Sequence, residues 1–203
     1  MNHEINRLLN FAQQQGLLDQ ADRVYGANLL LAALQLEEFS PEDIDERLEV
    51  PDEILSRMLD YAAEQGIIED TANQRDLFDT LLMNCVMPRP SEVIRAFRAD
   101  YDRSPELATD NYYKLSIASN YIRKARIDKN VIWQTATEYG DLDITINLSK
   151  PEKDPRDIAA AKNAPQAGYP TCMLCRENPG YAGRVNFPAR QNHRIIPMNL
   201  ANE

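Results

Sequence analysis

Asp143-Ile144-Thr145-Ile146-Asn147-Leu148 alternates polar and apolar positions and is rich in β-branched residues, so it reads as a strand. It marks the place where the chain changes character. Residues 1–128 read as an almost wholly helical domain, and residues 129–203 read as a second, partial α/β domain. The fold class is therefore α+β: a mainly α-helical N-terminal region followed by the start of a small antiparallel sheet. Trp133 and Tyr139 flank the strand and are expected in core or sheet-edge packing.

Upstream, Ile5, Leu8, Leu9 and Ala12 recur at helical spacing, and Gly16 stands where a helix stops. Ala27 to Leu36 reads as a core helix. Ser40-Pro41-Glu42-Asp43 offers a capping serine, proline at the first helical position and acids for the dipole, which predicts another helix; Pro51-Asp52-Glu53 opens the next in a similar way. Leu77 to Val86 is expected to be helical, Ser91 to cap a helix from Glu92 to Asp100, and Ser104-Pro105-Glu106 to start one running towards Ile127. An internal echo appears at an offset of 50 residues: Arg7-Leu8-Leu9-Asn10-Phe11-Ala12 matches Arg57-Met58-Leu59-Asp60-Tyr61-Ala62, and Gln15-Gly16-Leu17-Leu18 matches Gln65-Gly66-Ile67-Ile68. Two helix-Gly-apolar units could pack as paired hairpins, or the likeness is chance convergence on a helix-stop pattern; two copies are too few for a solenoid. The basic run Arg123, Lys124, Arg126 and Lys129 reads first as a solvated helix end.

Downstream, the charged loop Ser149 to Arg156 places Lys150, Lys153 and Arg156 after the strand. These cations could grip a phosphate, or form a solvated loop with Glu152 and Asp154. Asp157 to Lys162 reads as a short helix, and Arg194 to Met198 as a further strand. Between them lies Tyr169-Pro170-Thr171-Cys172-Met173-Leu174-Cys175, whose tight turn can aim two sulfurs at one point. Zinc needs four ligands, and the chain otherwise offers Cys85, His3 and His193, the last 18 residues beyond Cys175. A metal knuckle, two reduced core cysteines and a redox pair all stay open on spacing alone. Arg184, Arg190 and Arg194, with Gly180 and Gly183 nearby, are the better anion-binding candidates, because glycines let backbone amides approach a ligand. No nucleophile–base pair, P-loop or dinucleotide fingerprint is present.

Composition narrows the classes. Of 203 residues, 43% are hydrophobic, enough for a real core, and the net charge of -10 argues against general affinity for nucleic acid. No stretch approaches the roughly 20 apolar residues a membrane span requires. Three cysteines do not make a secreted disulfide framework, and the start lacks a signal peptide, so a cytoplasmic location is expected.

Longer motifs add to this. Thr145 to Pro155, then Tyr169-Pro170-x-Cys172-x-Leu174-Cys175-x-Glu177-Asn178-x-Gly180-Tyr181-x-Gly183-Arg184, then Asn186-x-Pro188-Ala189-Arg190-x-Asn192-x-Arg194-Ile195-Ile196-Pro197, resemble the galactose-1-phosphate uridylyltransferases of the second bacterial type, also called UTP–hexose-1-phosphate uridylyltransferases. Arg89-Pro90-Ser91-Glu92-Val93 and Ser119-x-Tyr121-Ile122-Arg123 are similar to that family's helical region. The resemblance implies exchange of UMP between UDP-glucose and galactose 1-phosphate, giving UDP-galactose and glucose 1-phosphate, in a domain related to the histidine-triad proteins. It implies a histidine that carries UMP covalently. It also implies that Lys150, Lys153 and Arg156 take the nucleotide-phosphate place, and that Cys172 and Cys175 correspond to zinc cysteines.

The family's histidine-containing nucleophile segment has no counterpart here, since His3 and His193 do not form a His-x-His arrangement. The chain therefore resembles an N-terminal portion with an incomplete histidine-triad-like domain, expected to lack transferase activity alone; its exposed sheet edge and half-covered core predict self-association, with a homodimer as one form, or instability. The competing expectation is a non-catalytic helical binding or assembly module carrying a metal-bound Cys-x-x-Cys knuckle. A small histidine-triad nucleotide hydrolase is disfavoured by the missing histidine pair.

Overall fold

The computed structural model describes residues 1–147, which divide into two compact units, 1–122 and 123–147. In the first unit six helices follow one another: α1 (Asn2–Gln14), α2 (Arg23–Leu34), α3 (Asp52–Glu64), α4 (Ala72–Cys85), α5 (Pro90–Tyr101) and α6 (Pro105–Ala118). A 3₁₀ turn, Gln20–Asp22, leads into α2. The second unit holds α7 (Lys124–Ile127) and the strands β1 (Val131–Thr137) and β2 (Gly140–Ile146). The strands pair antiparallel with Trp133 opposite Ile144 and Val131 opposite Ile146. The α+β expectation holds. The strand at Asp143 is the outer half of a hairpin whose other half, β1, the sequence reading missed. Trp133 lies within β1 rather than beside it and is 43% exposed, and Tyr139, in the turn, is 91% exposed, so neither is a core residue.

Four of the six helices of the first unit form two similar hairpins, α1–α2 and α3–α4. Helix α1 packs on α2 and α3, and α4 packs on α2 and α3, so four helices enclose one core. Ile5, Leu8 and Leu9 of α1, Leu30 and Leu34 of α2, Ile54 and Met58 of α3, and Leu82 of α4 are fully buried there. Each such side chain removed from water contributes roughly 1.5–3 kcal/mol before entropy is counted. The echo at 50 residues is structural. Gly16 and Gly66 adopt φ of +70° and +69°. Gly16 N–H donates to Gln13 O at 3.1 Å and Leu17 N–H to Ala12 O at 2.8 Å; Gly66 N–H donates to Ala63 O at 3.0 Å and Ile67 N–H to Ala62 O at 2.8 Å. Both helices thus end in the same glycine-centred motif that satisfies their last carbonyls. Asp19 then accepts from Ala21 N–H ahead of α2, and Thr71 accepts from Gln74 N–H to cap α4, which begins earlier than Leu77.

The copies differ in what lies along the first helix. Residues 36–50 form no helix, contrary to the reading of Ser40-Pro41-Glu42-Asp43. They run extended along α1 as a strap, and its backbone is bound by α1 side chains. Asn2 and Asn6 both donate to Ser40 O at 2.9 Å, and they accept from the N–H of Ser40 at 2.9 Å and of Glu42 at 3.0 Å. Asn10 and Gln14 donate to Glu46 O at 3.1 and 2.7 Å. These four amides stand four residues apart, on one stripe of the helix. Residues Pro41, Asp43, Asp45, Arg47 and Glu49 face outward while the alternate residues are half-buried, the period of a strand. The positions equivalent to the ladder in α3 are Asp52, Ser56, Asp60 and Glu64, which supply no amide.

Arg7 fixes the strap at Glu46. The guanidinium is 5% exposed and grips the Glu46 carboxylate through Nε at 2.7 Å and Nη2 at 2.8 Å, with Nη1 on Glu4 at 2.8 Å. Glu4 in turn holds Arg57, the repeat's counterpart of Arg7, at 3.1 Å. Hydrogen bonding to Glu46 keeps the Arg7 pKa above its ordinary value despite burial, and the same bond holds Glu46 below the usual carboxylate range. A lowered carboxylate favours the folded state above its unfolded pKa, and that contribution is lost as the pH falls through the lowered value.

Two further boundaries were misread. Helix α5 starts at Pro90, one residue before Ser91, because Glu92 accepts from the Arg89 N–H at 2.7 Å. Helix α6 starts at Pro105 with Ser104 as its cap, as the sequence indicated, but it ends at Ala118. There Asn120 takes a φ of +55° and Ile122 N–H returns to Ser116 O at 2.9 Å.

A Cβ built at Gly16 or Gly66 meets nothing within 4 Å, so alanine costs only backbone strain there. Gly16→Ala and Gly66→Ala should each destabilise by about 1–2 kcal/mol and add in combination. Urea unfolding checks this; a clear inequality between the two would show that the corners are not equivalent.

Candidate functional site

Every residue that the sequence singled out for ligand or metal binding lies outside the described residues: Lys150, Lys153, Arg156, Arg184, Arg190, Arg194, Cys172 and Cys175. The described part can be asked what chemistry it offers itself. The Arg89-Pro90-Ser91-Glu92-Val93 segment borders two clefts in the helical unit. One, of about 550 Å³, has apolar walls including Val93, Phe97, Tyr112 and Leu115, with Asn111 donating to Asp100 at 2.9 Å on its rim. Phe97 meets Tyr112 edge-on, with ring centroids 5.7 Å apart. The other, of about 820 Å³, sets Arg89 over the ring of Tyr25 at 6.0 Å, with Asp19 and Asp22 also in its lining. With Glu92 also in the lining, one guanidinium facing three carboxylates is a poor host for a diphosphate.

Three further arginines of the helical unit, Arg23, Arg57 and Arg75, are committed to carboxylates and amides. Arg57 pairs with Glu4 and Glu53 at 3.1 and 2.7 Å, and Arg75 pairs with Asp60 and Asp70 at 2.8 and 2.5 Å. Arg23 donates to Gln13 and Asn6. In the second unit, Lys124 of the basic run pairs with Asp128 at 2.8 Å. Over residues 1–147, Asp and Glu outnumber Lys and Arg by 27 to 14, whereas residues 148–203 carry 8 cations and 5 acids. Electrostatics make the described region a weak partner for phosphate.

Nucleophiles fare no better. His3 Nδ1 lies 2.7 Å from Glu42 Oε2 at the surface, bound into the strap. Cys85 is buried, its Sγ donates to Leu81 O at 3.3 Å, and burial pushes its thiol up to about 12. A thiol so disfavoured as thiolate is neither a nucleophile nor a metal ligand. Among the described residues no group of three or more His, Cys, Asp or Glu is arranged to hold a metal ion, and no helix is long and apolar enough to cross a membrane. One buried polar node stands out. Asn120 donates to both carboxylate oxygens of Asp79, at 3.3 and 3.1 Å, across α4 and the end of α6. This pair holds the left-handed turn within Ser119-x-Tyr121-Ile122-Arg123, a segment the sequence had flagged. Its sequence signal was an Asn in a run of small residues, too weak to name Asp79.

The family described as Galactose-1-phosphate uridyl transferase, N-terminal domain, matches residues 16–198. The chain belongs to that family. It is 56% identical over 200 residues to the galactose-1-phosphate uridylyltransferase of Clostridium acetobutylicum, covering 98% of this chain and 40% of the relative. The relative of the same name from Butyrivibrio fibrisolvens is 51% identical over 203 residues, with 100% and 52% covered, and that of Bacillus subtilis is 48% identical over 206 residues, with 98% and 40% covered. The chain thus spans about two-fifths to one-half of the length of these curated relatives. No solved structure matches it.

Cys85 should resist alkylation in the folded protein. Treatment with iodoacetamide at pH 8, followed by peptide mass spectrometry, is expected to leave Cys85 unmodified until denaturant is added; rapid native labelling would contradict its placement.

Proposed function

We propose that this chain is the N-terminal part of a nucleotidyltransferase that exchanges UMP between UDP-glucose and galactose 1-phosphate, giving UDP-galactose and glucose 1-phosphate. The observation that carries this reading is the family match over residues 16–198, supported by relatives about half identical that bear the name galactose-1-phosphate uridylyltransferase.

The reaction is two displacements at one phosphorus. A nucleophile bonds to the α-phosphorus of UDP-glucose as the bond to the glucose 1-phosphate oxygen breaks, and glucose 1-phosphate leaves with the electron pair. A phosphate oxygen of galactose 1-phosphate then attacks the same phosphorus and releases the nucleophile. The family resemblance implies a histidine nucleophile. His3 does not suit that role, because it sits in the helical unit and is engaged by Glu42.

Negative charge on the phosphoryl oxygens needs fixed cations. We assign this to Lys150, Lys153 and Arg156, which follow β2 in the sequence, with Arg184, Arg190 and Arg194 as further anion ligands. The paired state of Arg7, Arg57 and Arg75 supports looking beyond the helical unit for them. A zinc ion held by Cys172 and Cys175 would supply structural cross-linking of that corner. Neither Cys85 nor His3 suits as a further ligand, which leaves His193 as the histidine to consider. The same reading includes a histidine-triad-like domain beginning near Asp128, a homodimer, and a cytoplasmic location.

Isothermal titration of the 203-residue chain with UDP-glucose tests the proposal. One site per chain is expected, weakened at least tenfold by the double substitution Lys153→Ala and Arg156→Ala. No detectable binding by the intact, folded chain would reject it. Metal analysis is expected to give about one zinc per chain, lost in Cys172→Ser.

A further inference from the structure

We infer that residues 36–50 form a latched strap that opens as one unit while the helices stay folded, with the Arg7–Glu46 pair as the latch. Three observations converge on this. Among the described residues, no backbone–backbone hydrogen bond involves residues 37–50, so neither helix nor sheet holds the strap. Its backbone is bound instead by the side chains of Asn2, Asn6, Asn10, Gln14 and Gln15, and opening exchanges each of those bonds for one to water. Its apolar contribution is modest: Leu36, Phe39 and Leu48 are only partly buried against the core, while the fully buried residues all belong to the helical hairpins and their corners.

The latch is the strap's strongest single attachment. Arg7 is nearly buried and makes a two-pronged bond to Glu46, whereas Glu42 makes its contacts to His3 and Asn2 near the surface. Releasing Glu46 also does not strand Arg7, because Glu4 remains at 2.8 Å and Glu53 stands at 3.7 Å. The open state therefore leaves no buried charge unpaired, which would otherwise forbid it. Opening uncovers a helix stripe of four amides and an arginine able to bind an extended backbone. The equivalent stripe of α3 has no amides, so the device belongs to the first hairpin alone.

Arg47, exposed on the outer edge of the strap, provides the readout. A protease needs several residues of free extended chain, so cleavage after Arg47 reports the open population when opening and closing are fast. Limited trypsinolysis of the intact chain at neutral pH, followed by mass spectrometry, should cut after Arg47 before Arg7 in α1, Arg57 in α3 and Arg75 in α4. Glu46→Gln, which keeps the shape and removes the charge, should speed the Arg47 cut about tenfold and leave the other three unchanged. Glu42→Gln should change it less than threefold. Parallel acceleration at all four sites, or an Arg47 cut indifferent to Glu46→Gln, would overturn the inference. So would wild-type cleavage after Arg47 as fast as in a free peptide of residues 36–50.

Discussion

Arg7, Arg23, Arg57 and Arg75 of the helical unit are held by partners in the same unit, and that constraint shapes its structure. A guanidinium as buried as Arg7 cannot stand without a carboxylate, since the desolvation cost would be several kcal/mol. Glu4 and Glu46 meet that need from opposite directions, one from α1 and one from the strap. Glu4 also binds Arg57, so one acid ties the first helix of each repeat to the other. The network joins sequence positions far apart without lending any charge to a ligand.

A repeated hairpin geometry underlies four of the six helices. A helix ended by glycine, an apolar corner and a capped second helix occurs twice, and four such helices cover one another's apolar faces. The copies have diverged on the outer stripe of their first helices. Amides at positions 2, 6, 10 and 14 receive an extended chain in one, while acids and a serine at 52, 56, 60 and 64 face outward chemistry in the other. The clefts among the described residues of the helical unit are apolar or acidic. Phosphate transfer requires the opposite, which is why the proposed ligand cations are those that follow β2.

Local grammar was legible where it decided the outcome locally. Ser104-Pro105-Glu106 started a helix as read, because its cap is satisfied within three residues. Ser40-Pro41-Glu42-Asp43 has the same grammar and gave an extended strap, because the amide and carbonyl of Ser40 bond Asn2 and Asn6 more than 30 residues upstream. The i+4 amide ladder is visible in the sequence, but its partner is not. Val131 to Thr137 carried the β-branched signal of a strand and was passed over in favour of the clearer alternation at Asp143. Helix α6 stopped early for a reason no window shows: Asn120 is fixed in a left-handed turn by Asp79, 41 residues away. The family resemblance was legible in long motifs, whereas the candidate phosphate and metal ligands fall outside the described residues.

The central claim is a division of labour, with a structurally self-paired helical unit and nucleotide chemistry carried by the later residues. Hydrogen exchange measured by mass spectrometry on the intact chain, with and without UDP-glucose, tests it most directly. The account predicts slowed exchange in peptides between residues 143 and 198 and none in α1 to α6. Protection confined to α5 and α6 around the 550 Å³ cleft, with none beyond residue 147, would contradict it.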